Sequence, residues 1–308
     1  MHRHTAPSHG WNPFWAALGA ALLVLLPLVG GTVLLTRKAV RERLPAAESQ
    51  RGVPVHLPAE ADRMTLLVCL TGENPGFLLL HLDAFQNRLG LLALPAETCV
   101  DFGGKDATLA HCYASAGPAR CREALTPLLA LPEDTRYLAL SPALLSRLAG
   151  RYGSFRVGFS GALTPEELTL CGMGNGVQGL SADEAHRVLS ELEQEYAASL
   201  PPFRRAAARA VVWDAFFRQN LELLPAALPE SLRTNSSSLL TDLTAQDYTH
   251  LEEILEFLAN GSAPVWAEAL PGSWDGSLYR PDDASRAAVQ TLFNVSPTNG
   301  QASSANEP

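Results

Sequence analysis

Lysine is nearly missing from this chain of 308 residues: Lys38 and Lys105 are the only two, so arginine supplies almost all of its 23 basic residues. Isoleucine occurs once, at Ile254. The pairing points to a compositional bias, under which an isolated arginine says little about anion binding. Charged residues make up only 18% of the chain, and the formal net charge is −9. Nucleic acid needs a basic face, so a nucleic-acid partner is not expected. No Gly-x-Ser-x-Gly elbow, His-Glu-x-x-His helix or Walker loop is present. Nor is there a Cys-x-x-Cys or any Cys/His ligand spacing, and a structural metal is not expected. The five cysteines are an odd number. Cys112 and Cys121 could bridge a short loop, whereas Cys69, inside Leu66–Leu70, reads as a small buried hydrophobe. A hydrophobic share of 47% excludes a disordered chain.

That hydrophobicity is concentrated near the start. Phe14 to Leu35 carries no charge and is long enough to cross a bilayer as a helix. Trp11 and Trp15 stand where an interfacial aromatic belt would fall, and Pro27, Gly30 and Gly31 are tolerated inside a membrane helix. Thr36-Arg37-Lys38 follows directly where a secretory signal would present a small-residue cleavage site, so the segment reads as an uncleaved anchor. The resulting division is a flank (1–13), a transmembrane helix (14–35), a Pro-rich linker (36–62), one domain (63–295) and a disordered tail (296–308). Arg37, Lys38, Arg41 and Arg43 follow the helix and only Arg3 precedes it, and this bias alone would place the domain in the cytoplasm.

Within the domain, Met64–Leu70, Phe77–Asp83 and Arg88–Leu94 read as strands, the latter two as an antiparallel hairpin. Helices are expected at Ala119–Leu129 and Pro142–Ala149, with a strand at Thr135–Leu140 between them. Phe155–Phe159 and Leu168–Cys171 read as a further strand pair. Ser181 with Glu184 forms a capping box ahead of an apolar face at Ala185, Val188, Leu189 and Leu192. Phe203–Leu224 reads as one long helix burying Ala207, Val211, Ala215 and Leu221, and Thr244 caps a third helix running to about Leu258. The fold class is α/β: a three-layer α-β-α sandwich around a mixed sheet.

Gly174-x-Gly176-x-x-Gly179 has the spacing of a dinucleotide fingerprint. The helix cap lies beyond its last glycine and no βαβ unit surrounds it, so it reads as a Gly-rich turn. His81, His111, His186 and His250 are scattered, each more simply surface or core than ligand. Asn235, Asn260 and Asn294 stand in Asn-x-Ser triplets of the kind that arise by chance. Arg204, Arg205 and Arg209 open a helix and could clamp an anion, or could form a solvated face.

The order of these pieces resembles the LytR-CpsA-Psr family from Met64 to Phe293. The resemblance rests on the apolar strand Leu66–Leu70, the turn Asn74-Pro75-Gly76-Phe77, the strand Leu78–Asp83 and the segment Ala93-Leu94-Pro95-Ala96-Glu97-Thr98. It continues through Ala107–Ala114, Val177–His186, Arg233-Thr234-Asn235 and Ala269-Leu270-Pro271-Gly272. It implies an anchored domain outside the cytoplasmic membrane, against the charge bias. It also implies an activity, the transfer of a glycopolymer from a polyprenyl-pyrophosphate carrier to peptidoglycan. Arginines would neutralise the pyrophosphate, carboxylates would hold Mg²⁺ or Mn²⁺, and an apolar cavity would take the lipid.

Carried over position by position, the resemblance assigns phosphate binding to Arg205, with Arg209 offset by one from the next family arginine, which falls at Ala208. Glu97 stands for the metal-binding aspartate. The remaining charged positions fall at Asn74, Gly76, Ala96, Ser190 and Leu192. The expected function is therefore that of a cell-envelope protein with a degenerate transferase site. The alternative is a noncatalytic binding or scaffold module for lipid-linked glycans or protein partners. A third reading, an unrelated cytoplasmic domain on an anchor, follows from the flanking charges.

Overall fold

The computed structural model describes residues 57–72, 75–170, 174–181, 184 and 200–294. The expected membrane helix, its flank, the linker up to residue 56 and the tail lie outside the described residues. No helix among the described residues is long and apolar enough to cross a membrane.

The domain opens with three leucine-rich strands, β1 (Arg63–Leu70), β2 (Gly76–Asp83) and β3 (Arg88–Leu94), whose residues are buried almost without exception. Such unbroken apolar runs suit strands covered on both faces. They pair antiparallel, with Leu80 opposite Leu66 on one side and Leu91 on the other. A small hairpin follows, β4 (Cys99–Asp101) with β5 (Asp106–Thr108), and leads into helix α1 (Leu109–Leu129). Next come β6 (Arg136–Leu140), α2 (Pro142–Ala149), β7 (Phe155–Gly158), α3 (Pro165–Leu170) and β8 (Val177–Leu180). The later part holds α4 (Pro202–Asn220), α5 (Leu224–Thr234), β9 (Leu240–Thr241), α6 (Ala245–Asn260) and β10 (Val265–Ala269). The hairpin β11 (Ser273–Trp274) and β12 (Tyr279–Arg280) precedes α7 (Asp283–Asn294).

The main sheet has the order β10-β3-β2-β1-β6-β9. It is mixed: β6 runs parallel to β1 and β10 parallel to β3, while the other pairs are antiparallel. Alternate side chains of each strand feed two cores, as the pleat requires. Leu66, Val68, Leu78, Leu80, Leu91 and Leu138 pack with α2, α4, α5 and α6. Leu67, Cys69, Leu79, Leu92 and Ala139 pack on the opposite face with α1 and α7.

The helix starts have local causes. Ser141 accepts from the Leu144 amide and Pro142 opens α2, where a missing N–H costs nothing. Thr244 and Asp247 form a reciprocal capping box for α6, and Ser181 and Glu184 make the expected reciprocal pair. The apolar face expected after Ser181 lies outside the described residues.

Three expectations are corrected. Leu168 belongs to α3, not to a strand: the Thr164 amide donates to Glu167 at 2.7 Å and the Glu167 amide to Thr164 Oγ1 at 3.3 Å, which starts a helix there. The partner of β7 is β8, drawn from the Gly-rich stretch. The long helix expected at Phe203–Leu224 is α4 but ends at Asn220, because Pro225, in the first turn of α5, bars a continuous ladder across the junction. Of its expected buried face, Leu221 is buried, while Ala207, Val211 and Ala215 are half-buried beside the fully buried Ala206, Ala208 and Val212. Finally, α1 begins ten residues before Ala119, at Leu109, because Thr108 accepts from the His111 amide as its cap. It is broken inside, at Gly117 (φ 75°).

Candidate functional site

Glu97 sits in the turn that leaves β3. The Thr98 amide and hydroxyl both donate to the Pro95 carbonyl, at 3.1 and 2.7 Å, and the Glu97 carbonyl accepts from Tyr279 N at 2.9 Å. These bonds fix the backbone on both sides of the carboxylate. Oε1 of Glu97 accepts from Nη2 of Arg205, in the first turn of α4, across 108 residues of chain. Oε2 is buried and has no hydrogen-bond partner among the described residues.

Arg209 lies one turn further along α4 and is 2% exposed, an unusual setting for a guanidinium. Gly76 lies directly against it: a Cβ there would stand 3.4 Å from Arg209 Cζ and Nε. Arg204 turns elsewhere, donating to the Ala162 carbonyl at 3.0 Å and facing Glu167 at 3.7 Å. Of the arginine cluster read from the sequence, Arg205 and Arg209 therefore converge near Glu97 and Gly76, and Arg204 does not. Ala96 is buried beside Glu97. Asn74, Ser190 and Leu192 lie outside the described residues.

Glu97 is poorly equipped to hold a resident divalent cation. Among the described residues no group of three His, Cys, Asp or Glu side chains could bind a metal, and one Glu97 oxygen is already engaged by Arg205. Mg²⁺ and Mn²⁺ want several oxygen ligands, so the donors present do not make a cage for either.

Between the sheet and α2, α4, α5 and α6 lies a cavity of about 90 Å³ in water-centre volume. One water needs roughly 10–15 Å³ on that measure, so the space holds several water-sized groups. Its wall is apolar: Val68, Leu78 and Leu140 from the strands, Val212, Trp213 and Phe216 from α4. Leu82 and Val68, far apart along the β1–β2 ladder, both line it. An apolar cavity of this kind stays dry and takes hydrocarbon. No single motif in the sequence marks it. Its signal was diffuse, a leucine stripe on each strand that reads equally well as ordinary core.

No family model matches the sequence, and no curated protein does. Solved structures do match by shape. A candidate transcription regulator from Eubacterium siraeum superposes with a TM-score of 0.62 at 18% identity, covering 79% of this chain and 96% of that one. TagT bound to LIIa-WTA gives 0.58 at 14% identity, covering 76% of this chain and 92% of TagT. B. subtilis TagV gives 0.55 at 13%, with coverages of 75% and 95%. The fold is LytR-CpsA-Psr-like. The order of pieces that suggested this fold in the sequence corresponds to the mixed sheet with helices on both of its faces. At identities this low the likeness establishes the fold alone.

Proposed function

We propose that this chain is a membrane-anchored cell-envelope protein, related to glycopolymer transferases, that holds a lipid-linked glycan and transfers it slowly or not at all. The observation that carries this reading is the adjacency of the arginines and the apolar cavity on one helix. Val212, in the cavity wall, follows Arg209 by three residues, or about 4.5 Å of helix rise. An amphiphile with an anionic head and a hydrocarbon tail matches that arrangement, head at Arg205 and Arg209 and tail along β1 and β2. TagT, which shares the fold, has been seen with LIIa-WTA bound, and this supports a glycan-bearing ligand.

The same residues argue against fast transfer. A pyrophosphate leaving group develops charge that fixed cations must meet, and losing one such donor costs roughly 10²–10³ in rate. Gly76 and Ala96 stand where the family has charged side chains, and Arg205 already serves Glu97. Binding survives such losses better than catalysis does, which also favours the noncatalytic binding reading over a rapid enzyme. Anchoring rests on Phe14–Leu35, and a position outside the cytoplasmic membrane rests on the family arrangement.

The test incubates the full chain with a polyprenyl-pyrophosphate-linked glycan and Mg²⁺ or Mn²⁺, measuring carrier release and bound ligand separately. The expected result is bound ligand with at most trace release. Arg205→Ala should weaken binding by about tenfold, the scale of one charge-assisted hydrogen bond. Robust turnover that both Glu97→Ala and Arg205→Ala abolish would overturn the slow-transfer reading. A native chain that binds no such ligand would overturn the whole assignment.

A further inference from the structure

Four cysteines among the described residues, Cys69, Cys99, Cys112 and Cys121, are buried free thiols. Two of them share one packed core although a single helix, α1, carries both. On an unbroken helix, residues nine apart lie about 13.5 Å apart along the axis, beyond the reach of two thiols. Here α1 breaks at Gly117, whose φ of 75° and ψ of −173° no continuous helix contains. The break turns the second half of α1 back toward the first, so that Cys112 and Cys121 pack in one core and the Cys121 thiol faces the carbonyl of Leu109, in the same helical turn as Cys112. Both are 0% exposed in the core between α1 and the sheet, and Cys121 Sγ also lies 3.8 Å from the Leu109 carbonyl.

We propose that Cys112 and Cys121 are an oxidisable pair that forms a disulfide across the Gly117 break while the chain folds, fastening the two halves of α1. In the step, the two thiols give up two protons and two electrons and an S–S bond forms between them. A small-molecule or protein disulfide accepts the electrons and is reduced to two thiols by exchange. The order of events follows from burial. In the folded core burial raises the pKa of both thiols, and a buried, protonated thiol is a poor nucleophile toward a disulfide. Oxidation therefore precedes closure of the core, and the finished bridge is shielded from reductants. Cys69, on β1 in the same core, is the competing partner.

The experiment unfolds the full chain and refolds it with a mixture of oxidised and reduced glutathione. Remaining thiols are then alkylated under denaturing conditions and the linked peptides mapped by mass. The expected product links Cys112 to Cys121, persists in Cys69→Ser, and drops by about tenfold in Gly117→Ala, since a side chain disfavours positive φ by roughly that factor. A fully alkylated chain, or a dominant link from Cys69, would overturn the pairing whatever the fold of the variants. An undiminished link in Gly117→Ala would overturn the role given to the break.

Discussion

Among single residues, His81 is the most informative about pH. It lies within β2, 5% exposed, with Nδ1 at 3.0 Å from Thr65 Oγ1 and its ring edge-on to Phe293. Burial, the largest influence, lowers its pKa to about 4, with Arg88 and Arg63 adding to the fall and Asp83 and Asp134 opposing it. The unfolded chain binds this proton near pH 6.5 and the folded chain only near 4, so acid favours unfolding. Stability from this site is complete above about pH 6.5 and is lost progressively toward pH 4, by about 3 kcal/mol at most. Urea unfolding at a series of pH values should show that slope, and His81→Asn should flatten it. An unchanged slope in the variant would assign the acid sensitivity to other groups.

Among the elements, α7 is seated by one missing atom. A Cβ at Gly90 of β3 would stand 2.6 Å from Leu292 Cδ1, and Leu292 is fully buried between α7 and the sheet. Gly90→Ala should therefore cost about 1–3 kcal/mol as an overpacked core, measured by chemical denaturation. Leu292→Ala placed in the same chain should recover part of that loss, because it removes the clashing methyl groups. This seat could not be read from the sequence, where Gly90 merely interrupts an apolar run. The strands themselves were legible, since a run such as Leu78–Leu82 between turn residues allows little else. Helix ends were legible where a cap was spelled out, as at Thr244. They were misread at Thr108 and Thr164, where a local cap starts the helix, and ahead of Pro225, one residue inside the next helix. The site was half legible: Glu97 and Arg205 could be nominated, but their contact across 108 residues depends on how β3 and α4 are brought together.

At the scale of the molecule, the proposed anchor makes a prediction about topology. We expect 64–308 outside the cytoplasmic membrane. Protease added to intact, wall-stripped cells should digest it, whereas protection until lysis would place it inside, as Arg37, Lys38, Arg41 and Arg43 would have it. The sheet order adds a consequence for how the chain is made. β1, β2 and β3 are contiguous in sequence, but the outer neighbour of β3 is β10, which begins only at Val265. While the ribosome is still producing the intervening helices, the far side of β3 offers its amides and carbonyls to any passing strand. An exposed apolar edge of that kind recruits other copies. A transcript truncated before Val265 would thus yield not a smaller domain but a sticky one, whose natural end is clumping or chaperone capture.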